Sequence, residues 1–141
     1  MVPVTICREN GHELWRLFPG CDQPARPRAQ PGGDGYRKPA ALVFTSGYVS
    51  NQTGIATIAK LLPDCLILSD ARNHNSMIEG TRQSGVERQI WRHNDVDHLE
   101  TLLRAAAGRP KLIAFESLHS MDGDVAPIPR ICELAELCIN Q

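Results

Sequence analysis

From Ala40 onward, apolar blocks alternate with amphipathic ones. "ALVFT" (41–45) is a short apolar run with β-branched and aromatic members, the pattern of a buried strand. In "SNQTGIATIAKLL" the apolar positions Ile55, Ile58, Ala59 and Leu62 recur at helical spacing, and Pro63 stops the run. "CLILSD" reads as a second strand, and "NSMIEGTRQSG" as a helix closed by Gly85. "VERQIW" is a third, more amphipathic strand. In "DVDHLETLLRAAAG" Asp95 can cap a helix, Glu100 and Arg104 can pair at i,i+4, and Gly108 terminates. "KLIAFES" is a fourth strand and "IPRICELAELCI" a last helix. The order βαβαβαβα with short connections predicts an α/β fold: a mainly parallel sheet with flanking helices, a three-layer αβα arrangement.

Residues 1–39 differ in texture. From Pro19 to Pro39, nine of 21 residues are Pro or Gly. Such a stretch buries little apolar area for the ordering entropy it costs, so residues 1–39 are expected to be irregular and disordered, followed by one domain over 40–141. Residues 1–18 contain Trp15, Leu17 and Phe18 without a sustained period.

Composition narrows the function classes. The 141 residues carry a net charge of −1, which gives no electrostatic footprint for nucleic acid or an anionic membrane. No apolar run has the length of a membrane span, and the N-terminus lacks the pattern of a secretory signal. Five cysteines without a C-x-x-C pair argue against a disulfide framework or a structural zinc site, and for reduced thiols in the cytoplasm.

In open α/β sheets, ligands bind beyond the carboxyl ends of the strands. Each predicted strand is followed there by polar residues: Thr45 to Tyr48, Ser69 to His74, His93 to Asp95, and Glu116 to Ser120. In "TSGYVSN", Gly47 either lets a phosphate approach the amides of a helix N-terminus or is a plain turn glycine. The segment is neither a G-x-x-x-x-G-K-[ST] loop nor a G-x-G-x-x-G fingerprint. His74 either stacks on a flat ligand and moves protons, or caps a helix. Glu116 is either a buried functional acid or a satisfied strand-end carboxylate. His93 and His98, five positions apart, do not share a helix face, so no metal site is expected from them.

Taken together, "ALVFTSGYVSNQTGIATIAKLLPDCLILSD", "NHNSMIEGTRQSG", "RHNDVDHLE" and "PKLIAFESLHSMDGDVAPI" closely resemble the 5-aminolevulinate synthases. These belong to the α-oxoamine synthases, pyridoxal 5'-phosphate (PLP) enzymes of the aspartate-aminotransferase-like fold. The resemblance covers about residues 40–141 and implies part of a PLP-transferase large domain. "SMDG" is shared across the α-oxoamine group; "RHND" with "NHNSMIEG" points more narrowly.

That resemblance implies a condensation of glycine with succinyl-CoA to 5-aminolevulinate, CoA and CO2, the entry to tetrapyrrole (heme) synthesis, in a homodimer. Gly47 and Tyr48 would hold the PLP phosphate region, His74 would stack on the pyridine ring, and Ser120 would contact the cofactor. Ser69 and Arg88 would touch substrate. Arg88 stands where the family usually has a lysine, and Ala71-Arg72 in "SDARNHNS" replaces a commoner Glu-Leu. The sister 2-amino-3-ketobutyrate CoA ligases and 8-amino-7-oxononanoate synthases are the close alternatives.

PLP chemistry also needs a Schiff-base lysine and a carboxylate for the pyridinium nitrogen. In the family these lie in Ser-x-x-Lys and Asp-Glu-x-His-Ala-x-Gly segments beyond the last helix, and neither occurs in these 141 residues. The three lysines, Lys38, Lys60 and Lys111, sit in none of the polar clusters. The expectation is therefore a partial site without its catalytic lysine, inactive alone. A non-catalytic fragment that associates with a complete subunit is the alternative from another class.

Overall fold

The structure, a computed structural model, describes residues 4–7, 16–17 and 44–139, with residues 4–7, 16–17 and 138–139 as backbone only. Its elements in chain order are β1 (Val4–Cys7), β2 (Arg16–Leu17), α1 (Gly47–Leu61), β3 (Leu66–Asp70), α2 (Asn75–Ser84), β4 (Glu87–Trp91), α3 (Val96–Ala105), β5 (Lys111–Ala114) and α4 (Ile128–Ile139). All four predicted helices form, as do three of the four predicted strands. The expected "ALVFT" strand lies mostly outside the described residues, and Phe44 and Thr45 are not in a strand.

β3, β4 and β5 form the parallel part of a five-stranded sheet of order β2-β1-β5-β3-β4. Ser69 pairs with Ala114, and Asp70 pairs with Trp91, so the three strands end side by side. β1 runs antiparallel to β5, and β2 antiparallel to β1. These two short strands fall within the residue 1–39 segment expected to be irregular, and the rest of that segment lies outside the described residues. The sequence shows no alternation there; sheet pairing with β5 supplies backbone partners that a local pattern does not reveal.

Side chains of the parallel strands alternate between two cores. Leu66, Leu68, Ile113 and Phe115 pack with Trp91, Leu99, Leu103 and Ile131 under α3 and α4. Ile67, Leu112 and Ala114 pack with Ile55, Ala59 and Met77 under α1 and α2. β3 is buried at every position, as a central parallel strand covered on both faces must be. Edge strand β4 is exposed at Glu87, Arg88 and Ile90, which explains its amphipathic sequence.

Local chemistry sets the helix ends. The Ser46 side chain accepts the Val49 amide at the start of α1, and Asp95 accepts the His98 amide at the start of α3. Gly85 closes α2 in the left-handed region, with φ 68°. Arg104 reaches Glu100 at 2.6 Å, the predicted i,i+4 pair.

α1 and α2 cross closely because Gly80 presents no side chain. A Cβ there would stand 2.8 Å from the Gln52 carbonyl oxygen and 3.0 Å from that of Asn51, both backbone atoms. Gly54, inside α1, faces open space. Gly80→Ala is expected to lose about 1–3 kcal/mol through overpacking. Gly54→Ala should gain about 0.5–1 kcal/mol of helix propensity. Urea midpoints of the two variants measure this, and a Gly80→Ala protein as stable as the parent would refute the close crossing.

Candidate functional site

The parallel register delivers three loops to one edge of the sheet, where they meet the N-terminus of α1. A cleft of about 190 Å³ opens there, lined by Gly47, Tyr48, Asn51, His74, Ser76, Glu116 and Ser120. Gly47 and Tyr48 begin α1, and Asn51 follows one turn later on the same side. His74 caps α2, and Ser120 belongs to the turn after β5.

The cleft fits an anion with a flat ring attached. A Cβ on Gly47 would meet nothing within 4 Å, so the backbone is open to a ligand. The amides of Gly47 and Tyr48 have no acceptor among the described residues. Helix-start amides supply donors and partial positive charge for a phosphate. Across the cleft, the ring of Tyr48 meets that of His74 edge-on, with centroids 6.2 Å apart. The Tyr48 hydroxyl accepts from Asn75 Nδ2 at 3.0 Å.

His74 is held on three sides. Its Nδ1 accepts the Ser76 amide at 3.1 Å and lies 2.8 Å from Ser76 Oγ, which in turn accepts from Asn51 Nδ2 at 2.9 Å. An accepting Nδ1 puts the ring proton on Nε2. The backbone amide of His74 donates to Glu116 Oε1, and the amide of Ser120 approaches Glu116 Oε2 at 3.4 Å. Glu116, 2% exposed, thus ties the loop carrying the histidine to the turn carrying the serine. Of the two readings of Glu116, the geometry is that of a satisfied buried carboxylate, with the backbones of two cleft residues as its partners.

A second network lies behind the cleft. Asn73 Nδ2 donates to Ser69 Oγ at 2.9 Å and to the Ala114 carbonyl at 2.8 Å, bridging β3 to β5. Asp70 accepts from the Arg72 amide at 2.8 Å and the Asn94 amide at 3.2 Å, and pairs with His93 Nδ1 at 2.9 Å. Burial works against a charged His93. The hydrogen bond and charge of Asp70, helped by Asp124 and opposed by Arg72, outweigh it and raise the His93 pKa above its usual value. Arg72 also bonds Asp122 at 2.9 Å. The side chain that departs from the family pattern therefore links the β3–α2 loop to the turn after Ser120.

Of the six predicted site residues, Gly47, Tyr48, His74 and Ser120 line the cleft. Ser69 and Arg88 do not. Ser69 is buried behind the cleft, on Asn73. Arg88 is the second residue of β4, exposed and toward the opposite end of the strand. Sequence reasoning missed Asn51 and Ser76. The signal available was position: Asn51 lies one helical turn past Gly47, and Ser76 two residues past His74. Lys60 is exposed in the last turn of α1, and Lys111 opens β5 at the far end of the sheet. No lysine reaches the cleft among the described residues; Lys38 lies outside them. Cys65 is buried away from the cleft, and burial pushes its thiol up to about 11, with Arg109 opposing and Asp64 assisting, which fits a core residue and not a nucleophile.

Comparison with known proteins agrees with this geometry. The model of the family described as aminotransferase class I and II matches residues 34–141. The 5-aminolevulinate synthase of Bradyrhizobium diazoefficiens is 75% identical over 104 residues, covering 73% of this chain and 25% of that protein. The 5-aminolevulinate synthase 2 of Cereibacter sphaeroides is 57% identical over 104 residues, 73% of this chain and 26% of its own. The chain thus spans about a quarter of the length of these curated relatives. Among solved structures, serine palmitoyltransferase from S. paucimobilis with bound PLP is 35% identical with a TM-score of 0.63, covering 69% of this chain and 24% of that one. The 8-amino-7-oxononanoate synthase of Francisella tularensis, at 21% identity and TM-score 0.52 over 64% of this chain and 25% of its own, shares the fold. The chain is similar to 5-aminolevulinate synthases, and with residues 34–141 inside the family model it belongs to the class I and II aminotransferase family.

Proposed function

We propose that these residues form the phosphate- and ring-holding half of a pyridoxal 5'-phosphate site in a 5-aminolevulinate synthase. The observation that carries the reading is the convergence of Gly47, Tyr48, His74 and Ser120 on one cleft at a helix N-terminus. The identities of 75% and 57% to 5-aminolevulinate synthases, against 35% to a serine palmitoyltransferase, favour this activity over its sisters. The substrates are then glycine and succinyl-CoA, and the assembly a homodimer. Among the described residues no helix is long and apolar enough to cross a membrane; cysteines without a C-x-x-C pair are what supports a cytoplasmic location.

When bound, PLP supplies an electron sink for bond cleavage at the α-carbon of an amino acid. The chain's own residues bind and orient it. The amides of Gly47 and Tyr48 donate to the phosphate. His74, fixed by Ser76 and Asn51, offers its ring face to the pyridine. Ser120 offers a hydroxyl at the cofactor edge. Ser69, held by Asn73, and Arg88 are proposed substrate contacts by resemblance. Their positions behind the cleft and on the edge strand mean that any such contact involves groups outside the described residues. The Schiff-base lysine and the pyridinium carboxylate are likewise not supplied by the described residues of the cleft.

Two outcomes test this. A polypeptide of these 141 residues should bind PLP non-covalently and form no 5-aminolevulinate from glycine and succinyl-CoA. Product at an ordinary enzymatic rate, about 1 turnover per second or more, would overturn it. So would stoichiometric borohydride trapping of PLP on Lys60 or Lys111. In the same titrations, His74→Ala should weaken PLP about tenfold through lost ring contact. Glu116→Gln, with one acceptor oxygen for two amides, should cost about 1–2 kcal/mol of affinity. Glu79→Gln, half-buried on α2 outside the cleft lining and paired with Arg82, should leave affinity unchanged. Equal affinities across all three variants would remove the cleft as the PLP site.

A further inference from the structure

Three loops that leave adjacent parallel strands place Asp70, His93 and His119 together, with one possible ligand atom of each within 4.8 Å of the others. Asp70 ends β3, His93 follows β4, and His119 follows β5. His119 is fully buried, and neither of its ring nitrogens has a hydrogen-bond partner among the described residues. A buried imidazole with two unsatisfied nitrogens is costly, and a site that uses one of them removes part of that cost. Its backbone is nevertheless fixed: the His119 amide donates to the Asp124 carbonyl and its carbonyl accepts from Gly123, both at 2.8 Å. The ring meets that of His93 edge-to-face, with centroids 4.4 Å apart.

The geometry points to a divalent transition-metal site, best suited to Zn²⁺, formed by Asp70, His93 and His119. Two imidazoles and one carboxylate are a zinc donor set, and tetrahedral coordination separates ligand atoms by roughly 3.3 Å. The Asp70 oxygen and His93 Nδ1 already stand 2.9 Å apart, so they would open by a few tenths of an ångström while His119 moves in. The Arg72 and Asn94 amides orient the Asp70 carboxylate from outside, as metal-bound carboxylates require. Asp124, whose Oδ2 is 3.2 Å from His93 Nε2, is a neighbouring acceptor, and a water completes the fourth position. Arg72, whose charge acts on His93, is engaged by Asp122. A bound ion would clamp the three loops together behind the cleft. It does not depend on what occupies that cleft.

The test is equilibrium dialysis of the full chain against Zn²⁺ and Co²⁺, with metal content and the Co²⁺ absorption spectrum as readouts. The expected result is about one equivalent bound, a tetrahedral spectrum without a thiolate charge-transfer band, and a zinc-dependent rise in Tm. His119→Gln and the more exposed His93→Gln should each weaken binding by about tenfold or more. Wild-type chain that takes up no stoichiometric metal overturns the site. So does a thiolate band, which would move the metal to cysteine, or unchanged affinity in both variants. PLP affinity, measured separately, reports on the cleft alone.

Discussion

The parallel register of β4, β3 and β5 is the constraint from which the site follows. With Asp70 beside Trp91 and Ser69 beside Ala114, the strands end at one level. The residues that follow them must share a small volume at that edge. Their backbones leave the ladder there, so their amides need other acceptors. Buried carboxylates provide them. Glu116 accepts the amides of His74 and Ser120, and Asp70 those of Arg72 and Asn94. A buried carboxylate without such donors would be expensive; with them it becomes a rivet between loops. Polar strand ends thus serve the fold and the cleft through the same bonds.

Features set by local chemistry were legible in the sequence. Asp95 caps its helix, Gly85 adopts the left-handed conformation, and Glu100 pairs with Arg104 as their spacing implies. The central strands were readable because burial on both faces demands a continuous apolar run. The cleft residues were legible as a class, since strand ends in an open α/β sheet converge. What stayed hidden depends on partners far apart in sequence. Glu116 meets His74 across 42 positions, and Asn73 meets the Ala114 carbonyl across 41. β1 and β2 were hidden for the same reason, because their pairing lies with distant backbone and not in their own pattern.

Histidine shows the limit most clearly. On local spacing, His93 is comparable only with His98, and the two do not share a helix face. In the fold, His98 instead accepts the Arg92 amide at 3.0 Å, while His93 turns to Asp70 and His119. His74, read as either a stacking ring or a cap, caps α2 through Nδ1 and also lines the cleft.

The same geometry limits what this half of the site can do. Its donors are neutral or backbone groups, and its one buried cleft carboxylate is occupied by amides. None of these can form a Schiff base, and the two described lysines are held away from the cleft by their places in the fold. Lys111 is the first residue of a parallel strand, and Lys60 lies in the last turn of the helix whose first turn forms the cleft. Moving either to the cleft would mean reversing a strand or traversing a 15-residue helix of roughly 22 Å. The described residues can orient and bind a cofactor, and neither described lysine is placed for a covalent step. A dense hydrogen-bonded scaffold suits that holding role, because a rigid holder lets a lysine supplied by another segment meet its target in one geometry.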